Sequence, residues 1–388
     1  MTTDPSAIPD DRWSTPERLA LRDSARSFAA REVLPHLGRW ESEGVMPASL
    51  HRAAGAVGFL SLGYPEALGG AGEFIDLLVV AEELILAGVS SGVLASLFSH
   101  SISVPALVAS GREDLAEDYV RPALAGEKIC ALAISEADAG SDVARLRTRA
   151  VRDGDEWILN GSKTFITSGY RADFVTVAAR TSGEGHRGVS LFVVDRGTPG
   201  FDASRKLDKM GWRSSDTAEL FFDDVRLAGD RLVGEEGRGF YQIMDQFAYE
   251  RILMALEACA MAQRSIDLSI AWVRQRETFG ARLSQRQVVR HKLAEMQRRT
   301  TVARSFVREV AGCLQDGTPV VSEVAMAKNT ATEALDHVVY DAVQLHGGMG
   351  FIRESEVERH YRDARVFSIG GGTYEIMNEV IAKHLGLD

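Results

Sequence analysis

Apolar and polar positions along the chain fall into three regimes. From Thr15 the spacing is helical. The hydroxyl of Thr15 directly before Pro16 is a helix start, with the cap followed by proline at the first helical position. Leu21, Ala25, Phe28 and Ala29 then return on one face. Further helices are predicted over 74–87 and 113–125. Between them Leu84 to Gly111 carries no formal charge. Ser90, Ser91, Ser96, Ser99, Ser101 and Pro105 interrupt that stretch, so it reads as two buried helices and not as a membrane span. Near Glu127 the period shortens to β-like runs. Glu156-Trp157-Ile158-Leu159 is followed by Asn160-Gly161, which predicts a hairpin turn, and then by Thr164-Phe165-Ile166-Thr167. Runs at 174–177, 189–194 and 219–222 continue the pattern. Helical periodicity returns at Phe240. Phe240, Phe247, Met254 and Met261 form a stripe at seven-residue spacing; Val289, Leu293 and Met296 begin a second face that Val302, Phe306 and Val310 continue.

The predicted architecture is therefore α+β in the order α, β, α. It comprises an N-terminal α-helical domain over 1–126, a middle β-barrel domain over 127–237 and a C-terminal four-helix-bundle domain with one more short helix over 238–388.

Composition narrows the partners. The chain has 388 residues, 45% of them apolar, which is long enough to bury a large core without disulfide or metal staples. With 55 acidic against 44 basic residues the net charge is −11, which argues against nucleic acid held by broad electrostatics. The basic run from Arg286 to Arg308, with Arg290, Lys292, Arg298, Arg299 and Arg304, reads as a solvated helix face. Cys130, Cys259 and Cys313 have no metal-like spacing, so no metal site is expected and a reducing compartment is. The start Met1-Thr2-Thr3-Asp4-Pro5 lacks the basic and apolar regions of a secretion signal. The expected location is the cytoplasm.

Few segments carry chemistry alone. Gly234 to Gly239 does not have the setting of a dinucleotide fingerprint, and no phosphate-binding P-loop occurs. Gly347-Gly348 and Gly370-Gly371-Gly372 read either as helix-ending turns or as close backbone approach to a ligand. Ser135 to Asp142 is a polar loop. Glu250 shares a helix side with Phe247 and Met254. It is either a surface carboxylate with an ion-pair partner or a general base in a dry cavity.

Five segments taken together resemble the acyl-CoA dehydrogenase family: Ala131 to Asp142, Asn160 to Gly169, Arg274 to Gly280, Asp341 to Phe351, and Arg362 to Ile376. The resemblance covers nearly the whole chain in order. It implies FAD, an acyl-CoA substrate, electron-transfer flavoprotein as electron acceptor, and a homo-oligomer, in this family a tetramer of paired subunits. By it, Leu132, Ile134 and Ser135 lie along the flavin, with the Ser135 hydroxyl on its ring. Phe165 stands where many members carry Trp, and Thr167 is a neighbouring contact. Arg276, Thr278, Phe279 and Gln287 match residues that reach the FAD of the partner subunit, as do Gln344 and Gly348. Thr373 and Glu375 match further FAD contacts; Ser141 and Arg251 match substrate contacts. Ala137-Asp138 departs from the common Pro-Gly.

The base position also departs. Most members place Glu directly before the final Gly-Thr, where this chain has Gly371. Long-chain and isovaleryl-CoA dehydrogenases carry the Glu on the first long C-terminal helix, and Glu250 matches that position. The resemblance then implies that Glu250 takes the α-proton, the Gly371 N–H polarises the thioester carbonyl, FAD accepts the β-hydride and trans-2-enoyl-CoA is formed. Two alternatives stay open: an acyl-CoA oxidase using oxygen, and a flavin-bearing nucleic-acid-binding member of the same fold.

Overall fold

The computed structural model of the protein describes residues 11–183 and 185–387. The segment read above for a secretion signal lies outside the described residues. Helices run from Asp11 to Leu124, strands from Cys130 to Val233, and helices resume at Gly239. Thr15 caps the helix Pro16–Phe28 by accepting from the Arg18 N–H, and Ala25, Phe28 and Ala29 are buried. The uncharged stretch forms three short helices where two were expected, Ser91–Leu97, His100–Ser103 and Pro105–Ala109. Ser90 caps the first through its Oγ, and Pro105 restarts the chain where it cannot continue a helix. No helix among the described residues is long and apolar enough to cross a membrane.

The strands are β1 (Cys130–Ala133), β2 (Arg149–Asp153), β3 (Glu156–Thr167), β4 (Phe174–Arg180), β5 (Val189–Asp195), β6 (Phe201–Lys206), β7 (Thr217–Ala228) and β8 (Leu232–Val233). Their order is β6-β7-β3-β2-β4-β5-β8, with β1 parallel to β4. The end strands β6 and β8 do not pair, and β2 meets β4 only at Arg149 and Arg180. The expected barrel is thus a bent, open sheet. Its two halves close on a core that includes Trp157, Leu159, Val175, Phe192, Leu220 and Phe222.

The hairpin expected at Asn160-Gly161 is absent. β3 runs straight through, and its register against β7 slips between Leu159 and Gly161 and again between Lys163 and Ile166. The Asn160 side chain pairs with Asp224 across the strands, and Gly161 at φ 144° passes where a Cβ would lie 2.6 Å from Thr148 Oγ1. The Asn-Gly pair therefore makes a β-bulge. The tight turn falls earlier, at Gly154 with φ 62°, where β2 returns into β3.

Three long helices, Gly239–Gln275, Gln287–Gln315 and Val321–His346, pack on one another, with Glu356–Ala364 and Tyr374–His384 against the last. Met254 and Met261 are buried as their spacing predicted. On the second helix Val302 is 58% exposed, and the core face is Met296, Thr300, Ala303 and Val307. One continuous core includes Phe28, Leu78 and Ile85 from the N-terminal helices together with Leu256, Val307 and Leu335 from the bundle.

The basic run is likewise only partly a solvated face. Arg298 and Arg299 pair with Glu295 at the surface, but Arg304 is buried, and Arg308 reaches Glu82 at 2.9 Å. Arg22 bonds Glu82 from the N-terminal helix, also at 2.9 Å. Burial alone would raise the Glu82 carboxyl, but Arg308, Arg22 and Arg304 outweigh it and hold it down at about 2. A group with a depressed folded-state pKa contributes stability above its unfolded value, lost as pH falls toward the folded value. Glu82→Ala takes the shared anion from the buried Arg304 and the mostly buried Arg22 and Arg308, of which Arg22 keeps Glu83, and is expected to cost about 3–5 kcal/mol. Thermal unfolding at pH 7 checks this; a midpoint within 2 °C of the parent would contradict it.

Candidate active site

The Gly239–Gln275 helix carries Glu250 and Arg251 about three turns from its start. Glu250 Oε2 is fully buried and has no hydrogen-bond partner among the described residues. Desolvation raises its pKa, and the charges of Arg251 and Lys328 pull it part of the way back. Arg251 does not form a plain ion pair: its Nε donates to the Gly371 carbonyl at 2.9 Å, and its guanidinium lies 5.4 Å from the centre of the Phe247 ring. The residue expected to meet substrate thus binds the loop beside it.

That loop precedes the helix Tyr374–His384. Gly371 and Gly372 have φ values of 64° and 98°, a left-handed pair that turns both carbonyls toward the cations. A Cβ on Gly371 would lie 2.9 Å from Met254 Sδ and 3.9 Å from Arg251 Cγ. Gly371 therefore sits against the same helix side as Glu250, within one turn of it. Among the described residues its N–H has no hydrogen-bond partner. Thr373 caps the following helix by accepting from the Ile376 N–H, and Glu375 is exposed in its first turn.

A second wall comes from the sheet. Leu132 of β1 packs in the same cluster as Phe247, and Ile134 and Ser135 continue the strand. The Thr164 N–H donates to the Ser135 carbonyl at 2.9 Å and joins β1 to β3. One residue on, the bulge turns Phe165 outward at φ 60° with 69% of its surface exposed, and Thr167 is half-buried at the strand's end. Bulges re-aim side chains in this way, and an aromatic face projecting from a sheet suits stacking on a planar ring. Together with the unpaired Gly371 N–H, these residues fit a flavin. Ser141 is exposed on the loop beyond, beside Gly140, where a Cβ would meet nothing within 4 Å.

The remaining expected contacts lie elsewhere. Arg276 ends the long helix, twenty-six residues beyond Glu250, or about 39 Å along the axis at 1.5 Å per residue. Thr278, Phe279 and Gln287 follow it. The Gln344–Gly348 turn joins them there, because Trp272 bonds the Leu345 carbonyl and stacks on His346 at 5.3 Å. Phe279 is fully exposed and Phe351 is 83% exposed. The subunit therefore separates the two groups of contacts across its length.

Two lysines of this site were given no role from the sequence. Lys163 is buried on β3 and bonds the Ile134 carbonyl at 2.9 Å and Glu136 at 2.8 Å, fixing the end of β1. Lys328 is 1% exposed and donates to the Gly372 carbonyl. The available signal was a lysine among inward-facing positions, here flanked by buried Val324, Ala325, Ala327 and Ala331.

The models of the acyl-CoA dehydrogenase N-terminal, middle and C-terminal domains match residues 15–127, 131–225 and 237–386. The chain is 40% identical to the long-chain specific acyl-CoA dehydrogenase of Sus scrofa mitochondria over 94% of its own length and 85% of that protein's. A crystal structure of a putative acyl-CoA dehydrogenase from Mycobacterium smegmatis superposes with TM-score 0.96 at 54% identity, covering 97% of this chain and 100% of that one. A structure described as the electron transferring flavoprotein of Acidaminococcus fermentans superposes with TM-score 0.92 at 32% identity, over 97% and 99%. Three matched domains, a shared architecture and site residues that fit a flavin agree: the chain belongs to the acyl-CoA dehydrogenase family of FAD-dependent enzymes.

Proposed function

We propose that the protein oxidises an acyl-CoA thioester to the trans-2-enoyl-CoA, with Glu250 as the general base. The observation that carries this reading is the pairing of a buried Glu250 Oε2, without a hydrogen-bond partner among the described residues, with a glycine at position 371. A thioester α-proton is a weak acid unless charge on its carbonyl oxygen is stabilised as the proton leaves. The Gly371 N–H donates to that oxygen, and Glu250 Oε2 takes the proton. Arg251 holds the Gly371 carbonyl, so the donor does not reorganise during the step. Phe247 and Met254 keep water from the carboxylate. FAD, when bound, supplies the acceptor for the β-hydride. Leu132, Ile134, Ser135, Phe165, Thr167, Thr373 and Glu375 orient it; Ser141 contacts the CoA portion.

Electrons leave to electron-transfer flavoprotein, a reading supported by the likeness to the Acidaminococcus structure. The exposed end carrying Arg276, Thr278, Phe279, Gln287, Gln344 and Gly348 meets the FAD of a partner subunit in a homo-oligomer. Its distance from Glu250 and the exposure of Phe279 and Phe351 support this. We also propose a cytoplasmic location.

Anaerobic titration of the purified flavoprotein with a panel of acyl-CoAs tests the reaction. At least one chain length is expected to bleach the flavin near equimolar addition, with enoyl-CoA recovered. Fast reoxidation by oxygen, rather than by electron-transfer flavoprotein, would favour the oxidase reading. No bleaching by any acyl-CoA would end both.

A further inference from the structure

Lys328 is a costly residue to bury. Val324, Ala325 and Ala331 on its helix face are small and apolar, with Thr332 beside them, and a methionine of similar length would fill the space without a charge. Desolvation first, and the charge of Arg251 with it, pull its pKa down to about 8 against the opposing charge of Glu250. Its ammonium donates to the Gly372 carbonyl. Arg251 holds the carbonyl one residue earlier, and a Cβ on Gly371 would lie 3.6 Å from Lys328 Cε. Two cations from two different helices thus clasp consecutive carbonyls of one left-handed Gly-Gly turn. The same two cations are the charged groups that act on Glu250, Arg251 from its own helix and Lys328 from Val321–His346; the Gly-Gly turn presents only backbone.

We propose that Lys328 is a positioning residue for the reaction: it fixes the Gly371–Gly372 turn so that the Gly371 N–H faces the substrate carbonyl, and its charge keeps Glu250 ionised at working pH. The proposal rests on Glu250 being the base. A turn with two glycines has no side chains to hold it, so its backbone needs outside anchors. A carboxylate buried beside apolar side chains needs a nearby positive charge to stay a base and not a neutral acid. Arg251 alone faces both demands from one side of the turn; Lys328 meets them from the other.

The test compares Lys328→Met, Lys328→Arg and Glu250→Gln. In Lys328→Met, kcat at pH 7 is expected to fall at least tenfold with KM for acyl-CoA within about threefold. The acid limb of its kcat–pH profile should move up by about one pH unit, because the ionised carboxylate has lost a favourable charge. Lys328→Arg should restore the limb. In flavin-free protein the Tyr374 amide, which closes the turn onto the Ser368 carbonyl, should exchange at least tenfold faster in Lys328→Met. An acid limb that stays in place in Lys328→Met overturns the proposal. Should Glu250→Gln retain normal turnover, the base reading falls by itself. Should the Met variant fail to take up flavin, the limb cannot be read. In either case Tyr374 exchange decides: faster exchange upholds the anchoring role, and unchanged exchange overturns it.

Discussion

Glu250→Gln is expected to lower kcat with the best acyl-CoA by about 10²–10⁴-fold, the usual span for loss of a general base. The upper end applies here, since the glycine at position 371 offers no second carboxylate. Glutamine keeps the shape and can still donate and accept hydrogen bonds, so packing against Phe247 and Met254 survives. FAD content and the visible spectrum should match the parent protein. The pH profile gives an independent check. Burial raises the Glu250 pKa above its ordinary value, and only the deprotonated form accepts a proton. Activity of the parent should therefore climb with pH through that raised value, and the limb should vanish in the variant. Turnover within threefold of the parent would place the base elsewhere.

Gly371→Glu in the Glu250→Gln background is expected to recover at least tenfold of the lost activity. The two positions flank one space, because Gly371 lies against Met254 and Arg251, which are Glu250's own neighbours on the helix. Two costs keep recovery partial. A side chain at φ 64° is strained by about 1–3 kcal/mol. Its Cβ would also lie 2.9 Å from Met254 Sδ, so that side chain must move. Adding Met254→Ala removes the second cost and should raise activity further. If the triple variant binds FAD yet stays at the Glu250→Gln rate, the two positions do not address the same α-carbon.

Periodicity in the sequence was enough for the α, β, α order, because apolar spacing of 3.6 and of 2 is a local property. The five family segments and the glycine at position 371, which together single out Glu250, are also read along the chain. What the sequence could not decide are features set by partners far away in it. Asn160-Gly161 has the composition of a hairpin turn, but β7, some sixty residues on, pairs through it and makes it a bulge. That bulge series is what turns Phe165 outward. Val302 and Ala303 look equally able to face a core, and only packing between helices exposes the first and buries the second. Arg304 and Arg308 read as surface charges until the fold brings Glu82 and Arg22 beside them. An inward-facing position marks Lys328 in the sequence, but not what Lys163 and Lys328 hold, since those carbonyls, at Ile134 and Gly372, come from other elements. A buried charge is tolerated only where tertiary structure supplies its partner, and that supply is invisible in any single stretch of sequence.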